Sequence, residues 1–126
     1  MSPVIERLDD FPDNVVAFLC DGRVLRREYE NILIPAIEAA LNRYERVSLY
    51  YETGYDFLGV EPGVSHEFKV GMDHLLRWDR IAIVTNIDWV RETVRAFSFL
   101  LPGAVEIFPI DDAGAARAWI LAAVST

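Results

Sequence analysis

Apolar and polar positions change their period several times along the chain, and each change marks an element. Val4 to Leu8 alternates weakly and predicts a short strand. Asp9-Asp10-Phe11-Pro12-Asp13-Asn14 carries the proline and Asp/Asn residues that turns need. Val15-Val16-Ala17-Phe18-Leu19-Cys20 is apolar on both faces and predicts a second strand, ended by Asp21-Gly22 and close enough to the first to form a hairpin. From Leu25 to Tyr44 the apolar residues step by one, three and four, as on one face of a helix. Pro35 stands inside that stretch, where it is expected to kink the helix, and no Ser, Thr or Asp caps its start.

Val47-Ser48-Leu49-Tyr50-Tyr51 predicts a third strand, followed by a long loop over 52–63 that holds Gly54, Gly59, Pro62 and Gly63. A second helix is expected over 64–78, with Val64, Phe68, Met72, Leu75 and Leu76 inward. Ile81-Ala82-Ile83-Val84 is an uninterrupted apolar run, as in a strand covered on both sides. Thr85-Asn86-Ile87-Asp88 reads as a capped start to a third helix that ends near Leu101. Residues 105–110 predict the last strand, and Asp111-Asp112 opens a final helix at the end where its dipole favours acids. The expected order is β-β-α-β-α-β-α-β-α: an α/β fold with a mixed sheet of about five strands flanked by helices. Its last three strands should run parallel with right-handed crossovers. At 126 residues the chain reads as a single domain, 1–126.

Composition narrows the partners. The formal charge is −8 and Lys69 is the one lysine, so nucleic acid and anionic membranes are unfavourable. Apolar residues make up 52%, enough to fill a core and to suggest some surface shared with a partner or ligand. Cys20 stands alone, which removes a disulfide scaffold. The first residues lack the basic start and apolar run of a signal peptide, and no stretch approaches a membrane span. A cytoplasmic protein is expected.

Candidate chemistry is sparse. His66 and His74, on one predicted helix, would stand about 12 Å apart along its axis, so no metal site and no cofactor is expected. Cys20 has only Arg23 as a basic neighbour, and Ser65 beside His66 reads as a helix cap. Phosphate-binding glycine motifs are missing. A phosphoacceptor receiver domain would need an aspartate after the third strand and a lysine after the last, where Tyr51-Glu52-Thr53 and Pro109-Ile110-Asp111 stand. No catalytic residue is named, and the chain reads as a non-enzyme. Two apolar features remain: the aromatic loop with Tyr51, Tyr55, Phe57 and Leu58, and the stretch Phe97, Phe99, Leu100 and Leu101, with Trp78 beside them as a further candidate. They either plug the rim of the core or form a ligand pocket or subunit interface.

The segments Asp10-Phe11-Pro12-Asp13-Asn14-Val15, Leu33-Ile34-Pro35-Ala36-Ile37-Glu38, Arg80-Ile81-Ala82-Ile83-Val84-Thr85 with Trp89, and Phe99-Leu100-Leu101-Pro102-Gly103 together resemble the SpoIIAA-like family. That family is related to STAS domains, the fold of anti-sigma-factor antagonists, and is similar to CRAL-TRIO lipid-binding domains. The resemblance implies a mixed sheet flanked by helices. STAS antagonists carry a phosphorylatable serine in an Asp-Ser-Ser-Gly-like turn after the third strand. Here the aromatic loop leads instead to Gly63-Val64-Ser65-His66, which leaves Ser65 as the phosphorylation candidate. The expected function is a non-enzymatic interaction or regulatory module, self-associating as a dimer or binding another protein. The alternative is a carrier or sensor of an apolar small molecule or lipid.

Overall fold

Five strands lie side by side, and the three inner ones carry apolar residues on both of their faces. The computed structural model describes residues 5–24, 29–54, 59–60, 78–98 and 104–124. β1 (Ile5–Arg7) and β2 (Val15–Cys20) form the expected hairpin, with Ile5 opposite Cys20. The short β3 (Arg23–Val24) follows. A π-helical turn (Tyr29–Leu33) then leads into α1 (Ile34–Arg43). β4 spans Val47–Thr53, β5 spans Gly59–Val60 and β6 spans Trp78–Val84. α2 (Asp88–Ser98), β7 (Ala104–Phe108), a 3-10 turn (Ile110–Asp112) and α3 (Ala113–Val124) complete the order.

The main sheet runs β1-β2-β4-β6-β7, with β1 antiparallel and the other pairs parallel. The chain moves across the sheet in one direction, so right-handed crossovers place α1 and α2 on the same face. That face holds Val16, Phe18 and Cys20 of β2, Ile81 and Ile83 of β6, Ala36, Ile37, Ala40 and Leu41 of α1, and Val90 of α2. The opposite face holds Val15, Ala17, Tyr50, Ala82 and Val84 under Ala116 and Ile120 of α3. The alternation along β2 is the physical content of its unbroken apolar run: odd and even positions serve two different helical layers.

Several expectations are corrected. Trp78 is not the end of a helix. It opens β6 opposite Val47, because a buried, paired strand end stabilises it more than another helical turn at the surface. The rest of the expected second helix, 64–77, lies outside the described residues. Glu52 and Thr53 belong to β4 rather than to a loop. Gly59-Val60 pairs in parallel with Arg23-Val24 as a second, two-stranded sheet, a long-range pairing that local pattern does not announce. Pro35 does not kink an α-helix from within. It stands in the first turn of α1, where its missing N–H would be unsatisfied anyway, and the change of geometry falls in the π-helical turn before it. The start of α1 indeed has no side-chain cap. β7 ends at Phe108, and the aspartates after it form the 3-10 turn ahead of α3. Among the described residues no helix is long and apolar enough to cross a membrane.

Candidate functional site

In a parallel sheet the loops leaving the C-terminal strand ends converge on one rim, the usual place for a functional surface. Here β2, β4 and β6 end in Cys20, Thr53 and, one residue past β6, Thr85. Register puts Cys20 opposite Thr53 and Glu52 opposite Val84, so the three side chains form a row across the sheet. All three are fully buried. The Thr53 hydroxyl donates to Thr85 Oγ1 at 2.6 Å, and Thr85 Oγ1 also accepts the Ile87 N–H at 3.1 Å. The Thr85 N–H donates to the Phe108 carbonyl at 2.9 Å. The expected cap at Thr85 therefore braces the turn before α2, while Asn86 Oδ1 accepts the Ile110 N–H at 2.9 Å and ties that turn to the chain beyond β7. These hydroxyls serve each other and the backbone, which makes the row a brace under the rim.

Above the brace lie Asp21, Gly22, Gly54, Asn86, Asp88 and Trp89. Gly22 has φ +70°, the left-handed backbone that glycine adopts without strain, and it turns the chain from β2 into β3. Gly54 hydrogen-bonds the Cys20 carbonyl at 2.8 Å, and a β-carbon there would meet the Asp21 carboxylate. Asp21 and Asp88 are exposed, so the rim is acidic. Trp89 is 51% exposed at the first turn of α2, the larger of the two exposed large apolar side chains among the described residues.

A second polar group lies on the α3 face. Tyr50 is fully buried, its hydroxyl donates to Glu52 at 2.5 Å, and its ring packs on Phe11 with centroids 5.0 Å apart. Arg117 of α3 bonds Asp10, and its guanidinium stands 4.9 Å from the Phe11 ring centroid. Burial, then the Glu52 carboxylate, pushes the Tyr50 hydroxyl far above its ordinary range, so it stays neutral and protonated at physiological pH. The bond to Asp10 holds the Arg117 charge more firmly, and the bond from Arg117 lowers the Asp10 carboxyl. A carboxyl with a lowered folded pKa stabilises above its unfolded pKa and loses that contribution as pH falls. Asp10→Asn is therefore expected to lower the urea midpoint at pH 7, and the difference from wild type should vanish as pH drops below about 4. An equal difference at pH 7 and pH 3 would refute the ion pair.

The structure separates the candidates named from sequence. Trp78 is 4% exposed in the core between the sheet and the α1–α2 layer, so it is a packing residue. Tyr51 is half-buried on the same face, opposite Ile83. Trp78 pairs with Val47, four positions from Tyr51 along β4, or about 13 Å. Phe97 lies in α2, with its side chain outside the description. Tyr55, Phe57, Leu58, Ser65, Phe99, Leu100 and Leu101 lie outside the described residues. Trp89 was missed as a site residue, although its spacing held the signal. Ile87, Val90 and Val94 pack inward at three- and four-residue steps, which leaves Trp89 turned off that face.

No curated protein sequence matches the chain. A crystal structure of an uncharacterised Shewanella loihica PV-4 protein, from the DUF3478 family and with a SpoIIAA-like fold, is similar with a TM-score of 0.68 and 23% identity. The match covers 92% of this chain and 90% of that one. At that identity the likeness shows the fold. The SpoIIAA-like family model matches residues 15–121, from the first residue of β2 into α3. A family match over that span, together with the five-stranded sheet and its two helical layers, establishes that this chain belongs to the SpoIIAA-like family.

Proposed function

We propose that the domain is a non-enzymatic protein-interaction module, with the acidic rim around Trp89 as its partner-facing surface. The observation that carries this is a large aromatic side chain, half in solvent, on a braced corner. Tryptophan is enriched among the residues that dominate binding energy, because it buries a large area at low entropic cost. The Thr53–Thr85 bond and the Ile87 N–H bond hold the turn that presents it. Asp88 precedes it and Asp21 follows β2 on the same rim, in a chain of charge −8, which favours a neutral or basic partner surface. Kinship with antagonists that act by binding other proteins supports the same reading. A cytoplasmic setting is part of it, since Cys20, the single cysteine, is buried and can form no disulfide within the chain. Ser65 is not needed for it.

Trp89→Ala should leave the melting temperature within a few degrees, because the side chain is half-exposed. It should weaken capture of the partner, or the self-association of the chain, by at least about tenfold, as expected for a residue worth more than about 1.4 kcal/mol. The measurement is quantitative cross-linking in cells with wild type and variant side by side. Equal capture by both, or a wild-type chain that stays monomeric and captures nothing, would overturn the proposal.

A further inference from the structure

Among the described residues, no strand lies beside β7 on the side away from β6. β7 is the last strand of the main sheet, paired with β6 on one side. The Phe108 carbonyl accepts the Thr85 N–H, so Phe108 turns its backbone toward β6. Successive strand residues turn their backbone groups to opposite sides. Val105 and Ile107 therefore direct their N–H and C=O groups outward. Such a row is a template for another strand, which natural edges usually blunt by bulges, lysines or extreme shortness. β1, at the other edge, is three residues long. β7 has five residues, pairs regularly with β6 and carries no lysine.

The two faces beside this edge differ in charge. Val105 and Ile107 pack toward the α1–α2 layer, half-buried. Next to them a shallow hollow of about 250 Å³ is lined by Arg95, Ser98, Val105, Glu106 and Ile107. Arg95, in the last turn of α2, disfavours a cation on that side. Glu106 alternates to the α3 side and is exposed. A strand laid along β7 would place one set of side chains over the hollow and the other beside Glu106.

We infer that β7 takes an extended segment of a partner protein as a sixth strand, with apolar side chains over Val105 and Ile107 and basic ones beside Glu106. Main-chain bonds to Val105 and Ile107 supply affinity, and the alternation supplies specificity. A second copy of this chain fits less well. A two-fold antiparallel pairing centred on Glu106 sets that residue against its own copy, like charge against like in chains of −8. Centring on Ile107 sets Val105 against Pro109, which has no N–H to donate.

Fluorescence anisotropy with labelled Lys-Val-Lys-Val-Lys and Glu-Val-Glu-Val-Glu peptides tests this on the full chain. The lysine peptide should bind at least tenfold more tightly. Glu106→Lys should reverse that order. Of two lysine peptides N-methylated on alternate residues, the one whose methyls face β7 should lose at least tenfold, while the other binds as before. Ile107→Pro removes an outward N–H without touching the ladder to β6, and should weaken binding by a similar factor. If that variant does not fold, the methylated peptides still decide the matter with wild-type protein. Trp89→Ala should leave peptide affinity unchanged, so failure here and failure of the rim proposal are read separately. Equal binding of both charge types, no binding, equal effects of the two methylated peptides, or a homodimer closed through β7 would each overturn the inference.

Discussion

Phe18→Ala should lower the unfolding free energy by about 3–5 kcal/mol, the range for removing a buried aromatic ring. Phe18 is fully buried at the middle of β2, opposite Arg7 in the hairpin and Tyr51 in the parallel ladder. Its ring belongs to the layer that joins Leu33, Ile37 and Leu41 to Ile81 and Ile83. Removing it leaves a cavity between elements far apart in sequence, and strands paired on both sides cannot easily close over it. Domains are typically stable by only about 5–15 kcal/mol, so the loss is a large share of the whole. Urea denaturation should show a much lower midpoint at an unchanged slope. Phe18→Leu should cost far less, since most of the volume remains. A Phe18→Ala variant within about 1 kcal/mol of wild type would show that this layer does not hold the sheet.

Ile120→Ala should cost about 2–5 kcal/mol, with the damage centred on α3. Ile120 is fully buried and, with Ala116, makes the fully buried contact of α3 with Val15, Ala17, Ala82 and Val84. Trp119 packs on Phe108 with ring centroids 6.1 Å apart, half-buried, and the polar moorings lie nearer the surface. Arg80 donates to the Trp119 carbonyl at 2.7 Å and lies 5.0 Å from its ring centroid, and Arg117 bonds Asp10. The Arg117–Asp10 pair, being largely exposed, adds little. α3 should therefore open locally in the variant. Hydrogen exchange should speed up across 113–124 while the amides of β4 and β6 keep most of their protection. Uniform acceleration over the whole chain would show that α3 and the sheet open as one unit.

The two variants probe layers that differ in how they were legible. The α1–α2 layer is rich in large aliphatic residues at helical spacing, and both its helices were visible in the pattern. The α3 layer is thinner and mixes apolar with aromatic and charged groups. Tyr50, Glu52, Asp10 and Arg117 come from three distant segments, and no local spacing links them. Their cluster was invisible before folding for that reason. Trp89 is the opposite case. The spacing of Ile87, Val90 and Val94 already turned it outward, while the aromatic residues are denser in the stretch after β4.

The sequence by itself determined the hairpin of β1 and β2, the limits of β2, the strand–helix alternation from β6 to α3 and the family, because apolar period is a local property and reports which faces must be buried. Only the tertiary structure decided that Trp78 begins a strand, that Gly59-Val60 pairs with Arg23-Val24, and that Thr53 and Thr85, 32 residues apart, share a hydrogen bond. It also decided which strands stand at the edges, and so which backbone groups of β7 face outward. These are pairings between distant segments, and a polar group's partner is set by where the chain returns, which no local periodicity records.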